Sequence, residues 1–179
     1  MKKTIITVFV LFWTVASFAQ GTIWRETIEI ASVEINNGDV NLAVLNMPEE
    51  GQNQYYICVG TLGFGDDFVQ VGLDPVSQLF IPLGGTLDEA QARLEEIKDF
   101  AMQEKGTVKE IEGVLAVGNP SMGELETVYM TARRYFVSRL IEFSVQRNGY
   151  VRATHVSKGD MGSLLSSMNL YRKIHPNEK

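Results

Sequence analysis

The chain reads as an α+β protein, a mainly antiparallel sheet of about eight or nine strands with two amphipathic helices. Three features predict it. Runs of alternating apolar residues follow one another with only turn residues between them, the order expected of an antiparallel sheet. Asn37-Gly38 and Asn148-Gly149 each stand between two such runs, where a tight hairpin turn favours them. Two segments, beginning near Thr86 and Ser157, switch to a helical period and offer the sheet an apolar surface to bury.

Residues 27–35 and 40–47 pair around the first turn, with Ile35 facing Val40, Val33 facing Leu42 and Ala31 facing Val44 on one apolar side. Glu34 and Asn41 share the other side. After a polar loop, strands are expected over 54–61, 68–73 and 78–83, parted by Gly63-Phe64-Gly65-Asp66-Asp67 and by Asp74-Pro75. Thr86 and Glu89 have capping-box spacing, Leu87, Ala90, Leu94, Ile97 and Ala101 fall on one helical face, and Gly106 is placed to close that helix. The second half repeats the order with strands over 107–117, 124–137, 139–146 and 150–156. A helix then runs over 158–174, started by Ser157 and Asp160, with a stripe of Met161, Leu164, Leu165, Met168 and Tyr171 and with Pro176 behind it.

An offset of 71 residues lays Thr86 on Ser157, Leu94 on Leu165 and Phe100 on Tyr171, and superposes the strands. The chain therefore reads either as two units of four strands and a helix, 40–106 and 107–179, behind one extra strand, or as a chance likeness of pattern, because residue identity is nearly absent. Two such units would set both helices on one sheet face, with a groove between them unless the helices pack on each other. The first strand, 23–35, is the expected edge, open to a second chain.

Met1-Lys2-Lys3, the apolar residues 5–15 and the small-x-small site Ser17-Phe18-Ala19 have the form of a bacterial secretory signal peptide. The alternative, an uncleaved anchor, is disfavoured because the apolar stretch falls short of the roughly 20 residues a span requires. Residues 1–19 are thus expected to be removed, leaving 20–179 as a single periplasmic or secreted domain without a membrane span. One cysteine excludes a disulfide scaffold, and 45% hydrophobic residues exclude disorder. Cys58 stands in an apolar run and is expected in the core.

Glu142 and His155 face each other across the Asn148-Gly149 hairpin, where a carboxylate can orient an imidazole as a general base. No nucleophile or oxyanion donor accompanies them, so an ion pair is the expected reading and a hydrolase the lesser one. Asp66, Asp67 and Asp74 do not match a calcium-loop spacing, and the glycines match no phosphate-binding fingerprint. No cofactor or metal is expected. Charge is uneven: residues 20–106 carry 4 basic and 15 acidic side chains, whereas 107–179 carry 10 basic and 7 acidic. Arg133, Arg134, Arg139, Arg147 and Arg152 dominate the second half; alternation divides them between sheet faces, so solubility and intramolecular pairing with the acidic half is the expected reading, and an anionic glycan, a lipid headgroup or an acidic protein the alternative if they cluster. Nucleic acid is not expected of an acidic, exported chain.

The reading that follows is a non-catalytic binding or interaction domain of unknown partner. Its alternative is a carrier of an apolar or amphipathic ligand, with Tyr55, Tyr56, Phe64, Phe80, Phe136, Met161 and Met168 as pocket candidates.

Overall fold

Eight strands and two helices form among the residues that the computed structural model describes, which are 27–35, 40–61, 78–116, 119–147 and 149–176. In chain order they are β1 (Ile28–Ile35), β2 (Val40–Asn46), β3 (Tyr55–Thr61), β4 (Gln78–Gly84), α1 (Leu87–Phe100), β5 (Val108–Ala116), β6 (Glu124–Tyr135), β7 (Ser138–Arg147), β8 (Tyr150–Ser157) and α2 (Lys158–Ile174). The leader expected over 1–19, Phe64, the three loop aspartates, the expected Asn37-Gly38 turn and the strand expected over 68–73 lie outside the described residues.

Each strand pairs antiparallel with the next in sequence, so the sheet runs β1 to β8 as an unbroken meander, curled into a half-barrel with β1 and β8 at its edges. The expected registers are found: Ile35 opposes Val40, Val33 opposes Leu42, Ala31 opposes Val44, and Glu142 opposes His155. Period-two alternation then assigns the faces. Ile141, Phe143 and Val145 of β7 join Leu94, Ile97, Leu164 and Met168 of the helices in the main core, which defines the inner face. A smaller buried cluster, Met47, Cys58, Phe80 and Ala116, sits on the outer face of β2 to β5. Burial pushes the Cys58 thiol up to about 11.

Both helix starts carry reciprocal caps. The Glu89 amide donates to Thr86 Oγ1 (3.2 Å) while the Glu89 carboxylate accepts from the Gly85 and Thr86 amides, and Asp160 and Ser157 repeat the exchange at 3.0 Å in each direction. The first helix stops at Phe100 rather than at Gly106. Gly106 instead donates its amide to the Ala132 carbonyl (2.8 Å), and the Ala132 amide donates to Thr107 (2.9 Å), so β6 draws the chain out of the helix and into β5.

The two helices lie antiparallel against each other. Lys158, at the start of α2, reaches Met102 just past the end of α1, and Arg172, in the last turn of α2, reaches Asp88 and Gln91 in the first turns of α1. That packing is the condition under which no groove between the helices was expected. It is also unequal, because α1 leans on β4 and β3, whereas α2 reaches across both ends of the sheet to β1, β2, β7 and β8. The expected unit 40–106 holds three described strands before its helix, β2 to β4, whereas 107–179 holds four, and this together with the difference in packing leaves a duplication unconfirmed. Among the described residues no helix is long and apolar enough to cross a membrane.

Candidate functional site

Three strands, β6 to β8, bring together most of the polar residues singled out from the sequence. Glu142 points to the outer face, opposite Thr131 on β6 and His155 on β8. Its carboxylate accepts from Arg133 twice, from Nη2 at 2.8 Å and Nε at 3.2 Å, and lies 2.9 Å from His155 Nε2. Hydrogen bonds from Arg133, ahead of the smaller contribution of His155, hold the Glu142 carboxyl below the usual carboxylate range. Both carboxylate oxygens are therefore occupied, and Ser144, the next outward hydroxyl on β7, donates to the Tyr129 carbonyl at 3.4 Å. Chemically this is a charge-assisted tie across three strands. Among the described residues no group of three or more His, Cys, Asp or Glu is arranged to hold a metal ion.

The arginines do not converge on one patch. Arg133 is on the outer face with Glu142, Arg147 pairs with Glu124 at the opposite end of the sheet, and Arg152 is buried on the inner face opposite Val145. Arg134 and Arg139 oppose each other directly, on the inner side of the β6–β7 hairpin beyond the helices. The Arg139 guanidinium donates to the Met102 carbonyl at 3.2 Å.

Tyr55 and Tyr56, as neighbours on one strand, face opposite ways. Tyr55 is in the main core, and Tyr56 sets its ring edge-on to Phe80 on the outer face (6.3 Å, 87°). Met161 and Met168 are fully enclosed in the main core and Phe80 in the outer cluster, so these pocket candidates are divided between the two faces of the sheet.

Phe136 alone among the described pocket candidates is well exposed, and it belongs to a group that sequence reasoning missed. The β6–β7 turn is Phe136-Val137, between the paired Tyr135 and Ser138. Tyr135, Phe136 and Val137 are 66%, 82% and 91% exposed, and the first two rings meet edge to face at 4.6 Å. Phe136 sits at φ 51°, in the left-handed region. Register places the start of β5 and the end of β8 toward the same end of the sheet, with exposed Val108 at the level of Glu142 on the outer face and exposed Met102 beside Arg139 on the inner side. The available signal was an omission: antiparallel runs over 124–137 and 139–146 demand a tight turn, yet no Gly, Asn, Asp or Pro stands there. Against known proteins, no family model, curated protein or solved structure matches this chain.

Proposed function

We propose that this protein is an exported, non-catalytic binding domain that meets its partner through the β6–β7 end of the sheet. The observation that carries the reading is Phe136, an aromatic residue held at positive φ in a two-residue turn and left in solvent. Left-handed backbone costs an L-residue roughly 1–2 kcal/mol, which Gly would avoid, and exposing the ring recovers none of that by burial. Strain and exposure at one position have a common explanation if the ring is buried on binding. Tyr135 and Val137 extend the same surface, and exposed apolar residues gathered at one end mark an interaction site more than scattered ones do. Export is supported by the lysines, apolar run and small-x-small site of residues 1–19.

A photo-crosslinking side chain placed at Val137 in the chain expressed by its own host tests the contact. Adducts at Val137 that exceed those at Met122, a residue 86% exposed at the other end of the sheet, are the expected result. Equal labelling at the two positions removes the hairpin end as a binding surface. Intact mass of the exported product tests processing, with residue 20 expected as its first.

A further inference from the structure

We infer that the β6–β7 hairpin end is a membrane-interface anchor, inserting Tyr135, Phe136 and Val137 into an anionic lipid surface while Arg134 and Arg139 engage the phosphates; this rests on the reading of that end as the binding surface. Four observations support a lipid surface as the occupant. Exposure rises steadily toward the turn, from Tyr135 through Phe136 to Val137, so the apolar residues form a projecting tip, which a fluid interface can receive without a matching cavity. The aromatic residue nearest the strands is Tyr135, whose ring with one polar end suits the boundary between headgroups and acyl chains.

The second observation is depth. Arg134 and Arg139 each lie two residues behind the turn, Arg134 behind Phe136 and Arg139 behind Val137. At about 3.3 Å per strand residue this sets the guanidinium-bearing positions about 7 Å behind the tip. Interfacial segments bury their apolar side roughly 5–10 Å into the headgroup boundary, so side chains at this level meet the phosphates while the tip meets hydrocarbon.

The third is charge placement. Arg134 and Arg139 are directly cross-strand, an arrangement of like charges that weakens a hairpin unless an anion lies between or beside them. Arg139 is turned to a neutral carbonyl, that of Met102, and the hairpin's one acidic residue between 127 and 146, Glu142, is on the outer face and held by Arg133. A phosphate layer supplies the missing anions at several positions at once. The fourth is the setting. Lys158 reaches Met102 on the helix side of the same end, so a further cation stands behind the apolar tip on its inner side, whereas Arg133 on the outer side is already paired with Glu142.

The test is flotation of the exported chain with large unilamellar vesicles, either phosphatidylcholine alone or with 30% phosphatidylglycerol. Wild type is expected to float with the anionic vesicles and to be released as salt is raised. A Phe136→Gly, Val137→Ser double variant relieves the backbone strain, so its fold should be retained, and its binding is expected to fall at least tenfold. Arg134→Gln and Arg139→Gln are expected to lower binding to anionic vesicles about fivefold each, leaving the weak binding to neutral vesicles unchanged. A Phe136→Trp variant, whose new indole sits at the tip, is expected to blue-shift on adding anionic vesicles. The inference is overturned if wild type floats no better than the double variant, or if the indole emission stays unshifted. Adducts at Val137 to a protein, with no vesicle binding, overturn the lipid assignment while leaving the binding surface in place. Failure of both experiments removes the two together.

Discussion

Strain at Phe136 makes a direct prediction about stability. Replacing it with Gly removes the left-handed penalty and loses a ring contact with Tyr135 at a solvent-exposed site, so Phe136→Gly should raise stability, by up to about 1 kcal/mol. A urea midpoint below that of wild type would mean that the ring supports the fold, and would sink the argument from strain. Glu142 carries the clearest pH dependence. Its folded-state pKa is lowered, so the Arg133 tie contributes stability above the unfolded value near 4.3, and that contribution is lost as pH falls through the lowered folded value. Glu142→Gln should be less stable at neutral pH by about 1 kcal/mol, and should lose less further stability than wild type between pH 5 and pH 3. Denaturant midpoints at the two pH values check this; parallel losses in both proteins would place the acid sensitivity elsewhere.

At the scale of elements, the helices depend on their first turns. Ser157 is at once the last residue of β8 and the cap of α2, so its hydroxyl fixes the point at which an edge strand becomes a helix. Ser157→Ala should cost about 1 kcal/mol, measured by thermal or urea unfolding, and Ser157→Asp should recover most of it. Gly113 performs a different task in β5. A Cβ there would fall 2.5 Å from Val128 Cγ2 and 3.0 Å from Leu79 Cδ1, on the inner face beside the β4–β5 ladder, which among the described residues pairs Gln78, Leu79 and Phe80 with Ala116, Leu115 and Val114. Gly113→Ala should therefore destabilise by about 1–3 kcal/mol through crowding, despite the better strand propensity of Ala; an unchanged midpoint would show that β4 and β6 yield easily. Both caps were legible as spacing. The crowding at Gly113 was not, because it depends on which strands become neighbours after α1.

For the molecule as a whole, α2 is the closing element. It carries Met161, Leu164, Leu165 and Met168 into the main core and touches β1 and β2 near one edge of the curled sheet and β7 and β8 at the other. A chain ending at Ser157 should consequently lose cooperative unfolding, with a collapsed near-ultraviolet dichroism signal; a sharp transition in that truncated chain would show that the meander holds its curl unaided. Local chemistry by itself determined the eight described strands, the hairpin registers, both capping boxes and the Glu142–His155 pairing, since alternation, turn residues and cap spacing act over a few positions. It also placed Cys58 in an apolar run, although the outer-face cluster that buries it with Phe80 is a product of strand order. The candidate site was legible only in pieces. Arg134, Arg139 and Phe136 stood out by charge or by size, but that two arginines face each other behind an exposed aromatic turn follows from the β6–β7 register. Tertiary structure alone decided that the helices pack on each other, that the other arginines scatter among faces, and that Tyr135, Phe136 and Val137 are left exposed at one end of the sheet. Those outcomes depend on which surfaces remain after the curled sheet and its helices have buried one another, and no short stretch of sequence contains that information.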